Sequence, residues 1–126
     1  MSLELIRVDR EADLPDWAPR EQLALFFHET MEPYNDTIED VQRALDYLFS
    51  EEKGEGGYLV LGQQEGKLVG ALAMLNTGMK GYVPENILLF VTVDPSMRGK
   101  GLGRQIVDFA LEEAKGPVKL HVEYDN

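Results

Sequence analysis

The segment 91–109 reads "VTVDPSMRGKGLGRQIVDF" and joins a β-branched strand to an amphipathic helix through a glycine-rich turn. Gly99, Gly101 and Gly103 stand at alternate positions, with cationic residues between and beside them. Because glycine has no Cβ, several successive backbone N–H groups can face one point without steric cost. The first turn of the helix adds unpaired N–H donors and a partial positive charge. The segment therefore predicts an anion site, and phosphate is the anion that fits it best.

Composition limits the classes of protein to which the chain can belong. Its 126 residues predict one domain, spanning 1–126, with a single core. The absence of cysteine excludes disulfides, thiolate metal sites and a thiol nucleophile, and it favours a reducing cytoplasm. His28 and His121 are too far apart in sequence to show a metal-ligand spacing, so we expect no metal.

The net charge and the hydropathy of the sequence limit the kinds of molecule that the protein can bind. The formal net charge of −11 argues against general nucleic-acid binding, which requires a basic surface, and it is compatible with a cationic substrate. No apolar run is long enough to cross a bilayer, so we expect no membrane partner and a cytoplasmic location. The basic residues at 98–104 stand out against this acidic background.

The spacing of apolar residues predicts the order β-α-α-β-β-β-α-β. Asp36 and Glu39 stand in capping-box relation at the start of the second helix. The predicted elements are a strand at 3–8, a helix at 18–32, a helix from 36 to the glycine-rich run 54–57, a hairpin at 58–75 around "QEGK", a strand at 87–93, a helix from 102 to about 116, and a strand at 118–124.

Two well-known phosphate-binding motifs fail against the glycine turn. The P-loop requires a hydroxyl residue after Gly-Lys, and here Gly101 follows Lys100. The dinucleotide motif G-x-G-x-x-G comes closer, because Glu123 follows Gly103 at the expected distance. Its third glycine is nevertheless out of register, since the spacing here is G-x-G-x-G. The remaining alternative is that this segment is a tight glycine turn with solvated cations and binds no ligand.

The run Arg98-Gly99-Lys100-Gly101-Leu102-Gly103 resembles the acetyl-CoA-binding motif of the GNAT superfamily of N-acyltransferases. The resemblance covers most of the chain, because the predicted elements before and after the run follow the GNAT order. It implies an α/β fold of the α+β type, in which helices flank a mixed, mostly antiparallel sheet. It also implies transfer of an acetyl group from acetyl-CoA, as cosubstrate, to a primary amine that attacks the thioester directly.

The resemblance also implies which residues bind CoA. The backbone amides of the glycine turn would hold the pyrophosphate, with added charge from Arg98 and Lys100. The backbone of the preceding strand would pair with the pantetheine arm. The implied CoA-binding residues are Val91, Thr92, Val93, Arg98, Gly99, Lys100, Gly101, Leu102, Gly103, Arg104 and Asn126.

A general base is needed to deprotonate an amine acceptor, and the sequence offers few candidates. His121 and Glu123 share one face of the predicted final strand, because strand side chains alternate. Glu85, beside Asn86 and just before the central strand, is a third candidate. His28 on the first helix is a candidate for lining the acceptor cleft. Each of these has the alternative of a solvated polar position.

The sequence ends at Asn126, where GNAT proteins usually continue with a helix and further strands. A tyrosine on that helix often protonates the departing thiolate, so its absence leaves two alternatives. A partner chain supplies the remainder of an enzyme, or the protein is a non-catalytic acyl-CoA-binding or regulatory module. The same absence would leave an open edge on the strand at 118–124, which predicts a homodimer through that edge.

Overall fold

The computed structural model describes residues 3–30, 37–50, 56–76, 86–113 and 118–120. These residues form the predicted order of elements, and short 3₁₀ turns at Glu11–Asp13 and Pro95–Met97 are additional. The strands and helices are β1 (Leu3–Val8), α1 (Arg20–Thr30), α2 (Ile38–Leu48), β2 (Gly57–Gln64), β3 (Lys67–Asn76), β4 (Asn86–Val93), α3 (Leu102–Glu113) and β5 (Val118–Leu120).

The strands of the described residues form one sheet in the order β1-β2-β3-β4-β5. Each of the first four strands is antiparallel to its neighbour, and β5 pairs parallel with β4. A parallel pair requires a crossover connection, and α3 lies in that connection. The predicted mixed, mostly antiparallel sheet flanked by helices is therefore confirmed.

The sheet separates two apolar cores. On one face α1 packs through Phe27 against Phe90 of β4, with the two rings 5.4 Å apart, and α2 adds Leu45 to the same buried cluster. On the other face α3 packs through Leu102 and Ile106 against the sheet. The central strands β2 and β3 contribute residues to both faces, so most of their side chains are buried.

Two predicted helix starts are corrected. The helix predicted at 18–32 begins at Arg20, because Pro19 supplies the first carbonyl of the helix to the Leu23 amide at 2.9 Å. The capping box of Asp36 and Glu39 is wrong by one residue. Thr37 is the N-cap, and its hydroxyl accepts from the Asp40 amide at 3.2 Å. Residues 31–36 lie outside the described ranges.

The predicted hairpin is confirmed as two strands joined by Glu65 and Gly66. These residues have φ values of 55° and 78°, and two consecutive positive φ values are typical of the tight turn that matches strand twist. Within the described ranges, no helix is both long and apolar enough to span a membrane. The predicted end of α3 near 116 and the strand beyond Leu120 fall outside the described residues.

Candidate functional site

A β-bulge divides β4 into two halves. Ala73 of β3 pairs with Phe90, whereas the next residue of β3, Met74, pairs with Leu88, so Leu89 has no partner of its own in β3. Leu88 and Phe90 consequently pack on opposite faces of the sheet, although they are two residues apart. A bulge bends a strand and increases its twist. The half of β4 that leads to the glycine turn is therefore reoriented relative to the half that pairs with β5 at 86–88.

The predicted pantetheine-binding residues lie beyond this bulge. Val91 and Val93 are partly buried on the α3 side, and Thr92 is buried on the opposite side. Each of the three pairs with β3, and the described pairing of β4 with β5 stops at Leu88. The structure thus places this segment directly beside the glycine turn.

Asp94 fixes the exit from β4. Its amide donates to the Val69 carbonyl at 2.8 Å, and its carboxylate accepts from the Ser96 hydroxyl at 2.7 Å and the Ser96 amide at 2.9 Å. These hydrogen bonds from Ser96 lower the pKa of Asp94, and the positive charges of Lys67 and Arg98 lower it further. Asp94 was not predicted as part of the site, although Asp-Pro-Ser is a recognisable turn sequence.

The three glycines of the motif have different roles. Gly99 and Gly101 have φ values of +80° and +77°, in the left-handed region that other residues rarely adopt. A Cβ at either position would meet no atom within 4 Å, so their conformation, and not lack of space, requires glycine. Gly103 lies within α3, where a Cβ would be at an ordinary 3.6 Å from Val93 Cγ2. The turn itself therefore depends on the first two glycines.

The backbone amides of 99–104 form a run of available donors. The amide of Arg98 donates to the Pro95 carbonyl at 3.3 Å, and the amide of Gln105 donates to the Gly101 carbonyl at 3.1 Å. Between these two, no amide donates a hydrogen bond of good geometry to a described residue. The run includes the unpaired donors of the first turn of α3, where the helix dipole favours an anion.

The predicted cations surround this run on an open surface. Arg98, Lys100 and Arg104 are all exposed. Arg104 lies 4.0 Å from Asp108, and both side chains are largely exposed, so the pair contributes little to stability. The structure therefore brings the predicted pyrophosphate-binding residues together at one helix N-terminus, next to the end of β4.

The structure does not describe the candidates for the general base. His121, Glu123, Glu85 and Asn126 lie outside the described residues, and their roles stay predictions. His28 is partly buried on α1, on the face of the sheet opposite α3. Within the described part of the chain, no cluster of three or more His, Cys, Asp or Glu side chains could hold a metal ion.

The far end of α3 is anchored by Arg7 and Tyr58. The Tyr58 hydroxyl donates to the Ala110 carbonyl at 2.7 Å, and Arg7 donates to the Glu113 carbonyl at 3.1 Å. The Arg7 guanidinium also stacks 4.1 Å from the centre of the Tyr58 ring and donates to both carboxylate oxygens of Asp9 at 2.8 and 2.9 Å. Two carbonyls near the described end of α3 are thus satisfied by residues of the sheet, which hold this part of the helix in place.

We expect Tyr58→Phe to lower the free energy of unfolding at pH 8 by about 1 kcal/mol, because a buried hydrogen bond is lost. Burial raises the pKa of Tyr58 above its ordinary 10.0. The unfolded chain therefore loses this proton first as pH rises, and the contribution of Tyr58 decreases above pH 10.0. Urea unfolding of both proteins between pH 8 and 11 measures the difference. A difference that stays constant across this range would contradict the assignment.

The sequence model of the Acetyltransferase (GNAT) family matches residues 16–126. The chain belongs to the GNAT family. The resemblance of the Arg98–Gly103 region to a GNAT motif had predicted this membership, and the family match confirms it. None of the curated proteins compared with the chain matches it significantly.

Solved structures of several acetyltransferases and acyltransferases have the same fold. An aminoglycoside acetyltransferase from an uncultured soil metagenomic sample, solved with sisomicin, is 23% identical, with a TM-score of 0.64 over 96% of this chain and 78% of that one. An acyl-CoA N-acyltransferase from Pseudomonas aeruginosa is 21% identical, with a TM-score of 0.67 over 94% and 76%. Glucosamine-6-phosphate N-acetyltransferase from Arabidopsis thaliana is 18% identical, with a TM-score of 0.60 over 98% and 84%. At these identities the likeness establishes the fold.

Proposed function

We propose that the protein is an N-acetyltransferase that moves the acetyl group of acetyl-CoA to a primary amine. The observation that carries the proposal is the run of available amides at 99–104, set at the N-terminus of α3 beside the end of β4. Membership of the GNAT family supports acyl transfer in general. We assign the activity to a single domain spanning 1–126, located in the cytoplasm.

The CoA pyrophosphate would accept hydrogen bonds from the amides of 99–104, with Arg98 and Lys100 adding positive charge. The pantetheine arm would pair with the backbone of 91–93 in the manner of an added strand. A backbone N–H of this segment would donate to the thioester oxygen as negative charge develops there. Asn126 would contribute a further contact to CoA.

The acceptor amine would attack the thioester carbon directly. The new bond forms between the amine nitrogen and the acetyl carbon, and the CoA thiolate departs. The proton released by the amine passes to a base, for which His121, Glu123 and Glu85 are our candidates. No metal takes part in this scheme.

The net charge of −11 favours a cationic amine as acceptor, because an acidic surface concentrates cations. The soil aminoglycoside acetyltransferase solved with sisomicin binds a ligand of this class. Aminoglycosides, polyamines, amino-acid α-amines and lysine side chains therefore form the first panel of acceptors.

A thiol-release assay over this panel, beside calorimetric titration with acetyl-CoA, tests the proposal. We expect acetyl-CoA binding and acceptor-dependent release of CoA. Binding without turnover against every acceptor would favour the alternative of a non-catalytic acyl-CoA-binding module. Absence of binding would overturn the CoA site and the activity together.

We also propose that the protein self-associates through the edge of β5. Among the described residues, Val118–Leu120 pairs with β4 on one side only, and an open strand edge can pair with a second chain. Light scattering coupled to gel filtration is expected to give a mass near twice 14.2 kDa. A constant monomer mass over a wide range of concentration would contradict this proposal without affecting the assignment of activity.

A further inference from the structure

Gly70 of β3 lies directly beneath the first two turns of α3. It is buried, and it pairs with Val93 of β4 on one side and Gly62 of β2 on the other. A Cβ at Gly70 would overlap with Ile106 Cδ1 and would lie 3.6 Å from Leu102 Cδ2. Both of these helix residues are buried, with Ile106 fully so. A methyl group at Gly70 would therefore require the buried Ile106 side chain, or the turn of α3 that carries it, to shift.

The part of α3 that contacts Gly70 also carries the donors of the proposed phosphate site. Leu102 is the first residue of the helix, and its amide belongs to the available run at 99–104. Gly103, one residue later, packs beside Val93 at the end of β4. A displacement of this turn away from the sheet would thus move the amides relative to the strand that precedes them.

The opposite end of α3 cannot easily follow such a displacement. Tyr58 and Arg7 hold the carbonyls of Ala110 and Glu113 through hydrogen bonds of 2.7 and 3.1 Å. Any added volume at Gly70 that the Ile106 side chain does not absorb would therefore displace mainly the N-terminal turn of α3. A displacement of this kind would change the phosphate site more than it would change the core beneath the last turn.

We infer that Gly70 is a positioning residue for the phosphate site. Because Gly70 has no side chain, α3 can pack closely on β3, and this packing sets the distance between the phosphate site and β4. The inference rests on the proposed binding of CoA at 99–104. Gly70 lies on β3, outside the glycine motif, and would make no contact with the ligand.

Gly70→Ala tests the inference when the affinities for CoA and for pantetheine, which lacks the pyrophosphate, are measured by calorimetry. We expect the dissociation constant for CoA to rise about tenfold, because displaced amides would make weaker hydrogen bonds to the pyrophosphate. The dissociation constant for pantetheine should be unchanged. Inorganic pyrophosphate should also compete less well with CoA in this variant than in the wild-type protein.

A second substitution provides a rescue. Ile106→Val removes the Cδ1 atom that the new methyl group would meet, so Gly70→Ala/Ile106→Val should recover most of the affinity for CoA. Gly62→Ala is the matched control, since it adds the same methyl group to the neighbouring strand, where its nearest contact is Leu5 Cδ2 at 3.1 Å and none of the three nearest atoms belongs to α3. This control should keep the wild-type ratio of CoA to pantetheine affinity even if its unfolding temperature falls.

Each outcome separates this inference from the proposed function. If the wild-type protein does not bind CoA, the proposed function fails and the inference fails with it. If the wild-type protein binds CoA and Gly70→Ala binds it equally well, the inference alone is overturned. Equal losses for CoA and pantetheine would also overturn it, because they indicate general damage. Should Gly70→Ala fail to fold, Ile106→Leu, which changes the shape of the same contact without adding atoms, takes its place with the same two ligands.

Discussion

Replacing Gly101 with valine is expected to weaken CoA binding by at least about 100-fold, equivalent to losing two charge-assisted hydrogen bonds. Gly101 has φ +77°, a conformation in which a β-branched side chain is strongly disfavoured. The turn would therefore adopt another conformation, and the amides at 99–104 would no longer face one point. Calorimetric titration with CoA measures the effect, and circular dichroism checks that the variant is folded.

Gly66→Val is the matched control for this experiment. Gly66 has φ +78° in the β2–β3 turn, and a Cβ there also meets no atom within 4 Å. Both substitutions thus impose a similar backbone strain at an exposed glycine, and they should lower the unfolding temperature by similar amounts. Only Gly101→Val should lose affinity for CoA. Similar losses of affinity in both variants would indicate that the effect comes from instability. Wild-type affinity in Gly101→Val would exclude this turn as the phosphate-binding site.

The sequence predicts the elements of this fold well because its apolar residues follow clear periods. Leu102, Ile106 and Ala110 were expected on one face of a helix, and all three are buried against the sheet. The two-residue turn of the hairpin follows from Glu65-Gly66 between apolar strands. The order of elements and the glycine motif together pointed to the GNAT family, because the motif alone also fits a simple turn.

The bulge at Leu89 could not be predicted in the same way. Both faces of β4 are covered, so the run "ILLFVTV" contains no alternation of polar and apolar residues that would reveal a change of phase. The N-cap at Thr37 was missed because Asp36 and Thr37 are both good capping residues, and the sequence does not decide between neighbours. Helix ends are accordingly less predictable than helix faces.

The role of Gly70 was also beyond the sequence. A glycine within a strand indicates a bulge, a bend or a close approach of another chain segment, and the sequence does not show which applies. The answer depends on the side chain of Ile106, and strand β4 and the glycine turn lie between Gly70 and Ile106 in the sequence. A contact between residues this far apart in the sequence can be recognised only from the folded structure, in which α3 packs on the sheet.

The second large effect is expected from His121→Ala/Glu123→Ala, which should lower turnover by about 10²- to 10⁴-fold, the range typical of losing a general base. The two residues are two positions apart in the predicted final strand, and both are candidates to accept the proton of the amine. Affinity for CoA should be unchanged, because neither residue belongs to the proposed CoA-binding set. The loss would therefore appear in kcat, whereas the dissociation constant for CoA measured by calorimetry would stay the same.

The dependence of the rate on pH distinguishes a base on the protein from simple ionisation of the acceptor. With a protein base, kcat/KM of the wild-type enzyme should fall at low pH with a single apparent pKa, and this step should vanish in the double variant. The remaining rate would then follow only the ionisation of the acceptor amine, near pH 10 for a lysine-type side-chain amine and near pH 8 for an α-amine. Glu85→Gln serves as the comparison, since it removes the third candidate and leaves the first two in place. Full activity in the double variant would exclude both His121 and Glu123, and a loss in Glu85→Gln would then assign the base to Glu85.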